Sequence, residues 1–79
     1  MSTAGEQGRQ GARATIIANG KPTTIELPCQ LPDFIQRLGL DPRIVIVEYN
    51  GEPLRRDQFA GVALKDGDKI EVVRIVAGG

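Results

Sequence analysis

Only one stretch of this chain carries the spacing of a helix, and that limits the fold more than any other feature. Leu31, Phe34, Ile35 and Leu38 follow the i, i+3, i+4, i+7 pattern that lines apolar side chains along one stripe. Pro32 is tolerated in a first turn, where its missing N–H costs no hydrogen bond, and Asp33 sits well at the positive end of the helix dipole. Gly39 fits the left-handed residue just past the helix, with Leu40 folding back on the stripe, and Asp41-Pro42 enforces the stop. A helix this short does not hold itself in water, so it must pack on a sheet.

The remaining segments are β-prone and cut apart by turn dipeptides. Arg13 to Leu27 reads as a hairpin: Ala14 to Ala18 runs in, Asn19-Gly20 turns, and Thr23 to Leu27 returns with Ile25 and Leu27 on one face. Arg43 to Tyr49 is the most β-prone run. Both of its phases are apolar, which predicts a central strand with little exposed surface on either face. Asn50-Gly51 is a second turn, and Leu54 to Leu64 reads as a short edge strand followed by one helical turn that buries Phe59 and Leu64. Asp66-Gly67-Asp68 is a third turn. Lys69 to Val76 is a last strand, with Ile70 and Val72 on one side and Glu71, Val73 and Ile75 on the other.

Hairpin, helix, strand, irregular segment, strand is the order of an α+β fold whose single helix covers one face of a four- to five-stranded mixed sheet. This is the β-grasp arrangement, with the first and last strands parallel in the middle. Residues 1–12 lack periodic apolar positions and read as a disordered extension. The folded domain is expected over residues 13–76, and residues 77–79 read as a flexible diglycine tail.

Composition removes several classes of function. Ten basic residues balance ten acidic ones in 79, so the net charge is zero; that argues against nucleic acid, whose phosphates demand a basic excess. No run approaches the roughly 20 apolar residues of a membrane span. The start, MSTAGEQGRQ, offers no apolar stretch for a signal peptide, and the expected location is cytoplasmic. A single cysteine, Cys29, forbids an internal disulfide and cannot make a zinc site. Without histidine the commonest general base is missing. The chain reads as a binding or carrier module rather than an enzyme, with no catalytic residue and no bound metal.

The end of the sequence is its most informative chemistry. The last strand runs through Val76 into Ala77-Gly78-Gly79. Glycines lack a Cβ, so a terminal carboxylate on Gly79 can thread a slot too narrow for any other residue, with Gly78 and Ala77 forming the slim approach. A carboxylate is anionic at neutral pH and a poor electrophile. It reacts once activated, most simply by attack on the α-phosphate of ATP to form an acyl-adenylate, from which a thiolate or persulfide can displace AMP. Val73 and Ile75 lie on the face the helix leaves uncovered, and with Arg74 and Val76 they form the expected docking element for a partner.

These features carry a resemblance. Tyr49-Asn50-Gly51-Glu52-Pro53-Leu54-Arg55-Arg56, Phe59-Ala60, Leu64-Lys65-Asp66-Gly67-Asp68-Lys69-Ile70-Glu71-Val72-Val73 and Val76-Ala77-Gly78-Gly79 look like the sulfur-carrier proteins of thiamine biosynthesis, which are ubiquitin-like β-grasp domains. The resemblance spans about Ala14 to Gly79. It implies a cycle in which a ubiquitin-activating-like adenylyltransferase uses ATP and Mg²⁺ to adenylate the terminal glycine. Sulfur derived from cysteine then forms a thiocarboxylate, and thiazole synthase receives it. Carried over by position, Gly79 holds the acyl group. The sequence departs from the family pattern at Phe59, where Trp is frequent, at Gln30, where a capping Thr is frequent, and in its extra first twelve residues.

Other residues admit simpler readings. Cys29 could serve as a persulfide relay if the following helix lowered its pKa, but an incidental loop cysteine is the simpler reading. Asp66 and Asp68 are too few for Ca²⁺, which takes 6–8 oxygens, and read as turn formers. Arg55-Arg56-Asp57 reads as a solvated charge cluster, and Arg74 as a charge able to pair with an acidic groove on the activating enzyme. Related functions share the same fold and ending: the small subunit of molybdopterin synthase, or a sulfur donor for cysteine or secondary-metabolite synthesis. So does a ubiquitin-like protein modifier, and a plain interaction module with an accidental ending is the remaining alternative.

Overall fold

The structure, a computed structural model, describes residues 12–75. The expected N-terminal extension, apart from Ala12, and the residues from Val76 onward lie outside that range. The sequence order of elements is β1 (Arg13–Ala18), β2 (Lys21–Glu26), α1 (Leu31–Arg37), a 3₁₀ turn (Pro42–Ile44), β3 (Val45–Tyr49), β4 (Glu52–Leu54), a longer 3₁₀ segment (Arg56–Gly61) and β5 (Lys69–Arg74). Five strands form one sheet in the spatial order β2-β1-β5-β3-β4. The first and last strands lie parallel at its centre, with Ile17 beside Lys69 and Ala18 beside Ile70. All other pairings are antiparallel.

The hairpin forms where the turn chemistry places it. Asn19 (φ 50°) and Gly20 (φ 82°) both take positive φ, which gives a two-residue turn whose twist matches its strands. Ala14, Ile16 and Ala18 of β1 and Ile25 of β2 point to one side, where Leu31, Phe34 and Ile35 of α1 cover them. The remaining core comes from Val45, Val47, Phe59, Leu64, Ile70 and Val72. Phe59 is brought in by the longer 3₁₀ segment, and Leu64 is tied to the helix entrance by its N–H donating to Cys29 C=O at 2.9 Å.

Three expectations need correction. Helix α1 ends at Arg37, so Leu38 falls at the C-cap and is 42% exposed instead of completing the stripe. Gly39 does adopt φ +81° just past it, and Leu40 packs partly on the core. Arg43 and Ile44 belong to the 3₁₀ turn, started by Pro42 and capped by Asp41 Oδ1 accepting from Arg43 N–H at 2.8 Å. The strand that follows is not central. β3 lies second from the edge, and only Val45 and Val47 are buried while Ile46 is 54% exposed. The central position belongs to β5, where Ile70 and Val72 are buried and the alternate side chains are not. Among the described residues there is one helix for five strands, and none of them forms a layer on the second face of the sheet.

Among the described residues, no helix is long and apolar enough to cross a membrane.

Candidate docking face and the C-terminal strand

β5 is held from both ends. At its start, the Asp68 carboxylate is almost wholly buried (2% exposed) and fully engaged. It accepts from Tyr49 Oη at 2.8 Å, Lys65 N–H at 2.9 Å, Lys65 Nζ at 3.0 Å and Asn50 Nδ2 at 3.2 Å. Burial by itself would push this carboxyl upward; the hydrogen bonds from Tyr49, Lys65 and Asn50 outweigh it and hold Asp68 below the usual carboxylate value. Burial, with the hydrogen bond to Asp68, pushes the Tyr49 phenol up. The hydrogen bond to Asp68 raises the Lys65 ammonium. The network joins the Asn50-Gly51 turn to the Asp66-Gly67 turn. Asp66 Oδ1 in turn accepts from Thr15 N–H at 2.8 Å, pinning the second turn to β1. Both aspartates therefore act as hydrogen-bond acceptors for turns and strand ends. No group of three or more His, Cys, Asp or Glu that could hold a metal occurs among the described residues.

At its other end β5 continues into Ile75, whose N–H donates to Ile44 C=O at 2.7 Å. Here the structure divides the four positions expected to dock a partner. Val73 (59% exposed) and Ile75 (45%) lie on the open face of the sheet. Arg74 shares the parity of Ile70 and Val72 and so projects to the helix side, opposite Val45. Val76, Ala77, Gly78 and Gly79 lie outside the described residues.

The open face also holds two residues that sequence reasoning missed. Ile46 lies directly opposite Val73 in the β3–β5 register, and Ile44 (43% exposed) is the neighbour of Ile75. Ile44, Ile46, Val73 and Ile75 together form an exposed apolar stripe across two strands at the C-terminal end of β5. Their signal was present, since both phases of Ile44 to Val47 are apolar. That signal cannot separate a strand buried on both faces from one whose second face awaits a partner.

Cys29 lies in the loop between β2 and α1, as expected, but its side chain is not exposed there. It is 2% exposed and belongs to the core. Burial raises its thiol, an effect that Arg37 opposes and Asp33 reinforces, so it stays protonated at neutral pH and is a poor nucleophile. It lines an open apolar hollow of about 420 Å³ with Ala12, Leu27, Pro28, Ala63 and Leu64. Ala12 precedes β1, whose far end pairs with β5, so this hollow lies at the opposite end of the sheet from Ile75. Gln30 begins the helix without a side-chain cap. Arg55 and Asp57 form an exposed ion pair, which fits the solvated-cluster reading.

A mixed five-stranded sheet with its first and last strands parallel at the centre and one helix across one face defines a ubiquitin-like β-grasp domain. A family model described as the ThiS family matches residues 14–79. The chain belongs to the ThiS family. It resembles the thiamine biosynthesis protein ThiS of Geobacter metallireducens, solved by crystallography and by NMR. Each solved structure has a TM-score of 0.69 and 32% sequence identity over 82% of this chain, covering 99% of the crystallographic chain and 87% of the NMR chain. A thiazole synthase of Paramagnetospirillum magneticum is 34% identical over 64 residues, which is 81% of this chain but only 20% of that protein. The present chain thus spans about a fifth of that relative's length. The uncharacterized protein ycf40 of Pyropia yezoensis is 35% identical over 65 residues, 82% of this chain and 92% of its own.

Proposed function

We propose that this chain is a sulfur carrier for the thiazole-forming step of thiamine biosynthesis, with the Gly79 carboxyl group as the position that carries the sulfur. The Gly79 carboxylate attacks the α-phosphate of ATP on a ubiquitin-activating-like adenylyltransferase, with Mg²⁺ shielding the phosphates, and pyrophosphate leaves. The terminal sulfur of a cysteine-derived persulfide attacks the acyl carbon and AMP departs. Thiol cleavage of the resulting acyl disulfide leaves a thiocarboxylate, which thiazole synthase consumes. Gly78 and Ala77 form the slender approach into each active site. The chain contributes the reacting carboxylate and a docking face, while the catalytic groups belong to its partners.

One observation carries this reading: the family match runs through Gly79. It is supported by the thiazole synthase relative, a fifth of whose length is a segment like this chain. The exposed stripe of Ile44, Ile46, Val73 and Ile75 offers a surface for docking beside the strand that leads to the tail, and the cytoplasm supplies the ATP and the reducing conditions that the cycle needs.

Intact-mass spectrometry after incubation with the adenylyltransferase, ATP and a persulfide donor tests the proposal. Replacement of one oxygen by sulfur at Gly79 is expected. Adducts on lysines of other proteins would instead make the chain a modifier, and an unchanged mass would reduce it to an interaction module.

A further inference from the structure

The backbone around Arg74 carries an inference about how a partner engages this carrier. Ile75 N–H donates to Ile44 C=O and Asn50 N–H donates to Lys69 C=O, both at 2.7 Å. These contacts fix the alternation of the β3–β5 ladder: 46 with 73 and 48 with 71 are hydrogen-bonded pairs, while 45 with 74, 47 with 72 and 49 with 70 are not. The backbone groups of Ile70, Val72 and Arg74 therefore face the other way, toward β1.

On that side the ladder runs out. Ile17 N–H donates to Asp68 C=O and Asn19 N–H donates to Ile70 C=O, each at 2.9 Å. The Asn19 side chain then substitutes for backbone, its Oδ1 accepting from Val72 N–H at 2.8 Å. Asn19-Gly20 reverses the chain there and carries it away into β2. Among the described residues, the β1–β5 pairing ends with Ala18 beside Ile70, so Val72 C=O and Arg74 N–H face a side on which no strand pairs with them. An acceptor and a donor two residues apart, with the intervening Val73 turned toward β3 and Val72 N–H already taken by Asn19, are the pair that one residue of a parallel strand engages. The edge borders Val73 and Ile75 on the open face and the Arg74 side chain on the other.

We propose that an extended segment of the adenylyltransferase that activates the C-terminus adds to the sheet here, parallel to β5, and continues the line that β1 abandons at Asn19. One of its residues donates N–H to Val72 C=O and accepts from Arg74 N–H. Its neighbours on the open face are apolar and extend the stripe of Val73 and Ile75. Affinity then comes from backbone contacts that fix the direction in which β5 enters the partner. This inference rests on the carrier reading above.

Arg74→Pro in the full chain removes the outward N–H but spares the β3 ladder, because Arg74 is not in a hydrogen-bonded pair. Arg74→Ala removes only the side chain. With the adenylyltransferase, Arg74→Ala shows what the side chain contributes to docking, and the loss for Arg74→Pro is read relative to it. Arg74→Pro should lose about tenfold or more, the effect of one lost interfacial hydrogen bond. Hydrogen exchange on the wild-type complex gives an independent reading, since the Arg74 amide should slow on binding while the already bonded Ile75 amide changes little. Equal binding by the two variants, or unchanged exchange at Arg74, overturns the proposal. If Arg74→Pro does not fold, the wild-type exchange experiment decides. Normal sulfur loading with no difference between variants refutes only the strand addition, whereas absence of loading in wild type refutes the carrier reading and this inference with it.

Discussion

Replacing Asp68 by alanine should remove a large part of this domain's stability without touching its docking face. The carboxylate is buried and accepts from Tyr49 Oη, Lys65 N–H, Lys65 Nζ and Asn50 Nδ2. Hydrogen bonds to a charged acceptor contribute about 1.5–3 kcal/mol each when sheltered. The Lys65 ammonium is 70% exposed and adds little through charge alone. Counting chiefly Tyr49 Oη and Lys65 N–H, the loss comes to about 3–6 kcal/mol. A domain this small has only about 4–12 kcal/mol in total, at 0.05–0.15 kcal/mol per residue. Asp68→Asn keeps one acceptor and the volume, and should lose about half as much.

Urea unfolding at neutral pH, followed by far-UV circular dichroism, measures both losses, and an unchanged denaturant slope shows that the native state is intact. The pH dependence carries the sign. The folded-state value of Asp68 lies below its unfolded value of about 3.9, so its contribution is complete above that pH and is lost as pH falls through the lower, folded value. The gap between wild type and Asp68→Asn should therefore be full at pH 7 and close in the acid range below about pH 4. An Asp68→Ala loss under about 1 kcal/mol, or a wild-type-to-Asn gap that persists unchanged into acid, would refute the account of the network.

Ile46→Lys and Val73→Lys, at exposed positions, should shift stability by about 0.5 kcal/mol or less yet weaken adenylyltransferase binding at least tenfold, as titration calorimetry would register. Cys29→Ser buries a hydroxyl in the core and should cost about 1–3 kcal/mol in urea, while sulfur loading on intact-mass spectra stays at the wild-type level. One alanine added after Gly79 should leave the melting temperature unchanged and abolish the ATP–pyrophosphate exchange that reports adenylation. Glu48 and Glu71 lie directly opposite on the open face; Glu71→Lys should turn that repulsion into attraction and raise the melting temperature by a few degrees, about 1–4 °C in calorimetry.

Much of this protein could be read locally, and the reason is that its signals are local. Asn19-Gly20 specifies a turn because both residues take positive φ. The spacing of Leu31, Phe34 and Ile35 specifies one helical face, Gly39 ends it, and the alternation of Ile70 to Val73 assigns inside and outside within β5. Element order then restricts the arrangement to a sheet with parallel first and last strands, because a single helix covers a single face. The proposed role of Gly79 also stands in the sequence, as a matter of what a side-chain-free carboxylate can reach.

Tertiary structure decided what depends on pairing between distant segments. Whether Ile44 and Ile46 are buried follows from which layers cover β3, and no periodicity within that strand records this. That Ile46 meets Val73, and that Arg74 stands apart from Val73 and Ile75, follows from strand register. Asp68 looked like one residue of a turn; its role as a buried hub needed Tyr49 and Asn50, separated from it by nearly twenty positions, to arrive at the same place. Cys29 likewise became a core residue only when α1 and Leu64 closed over it. Short-range chemistry sets conformation, whereas burial and juxtaposition are properties of the assembled layers, because each face of a strand is defined by what packs on it.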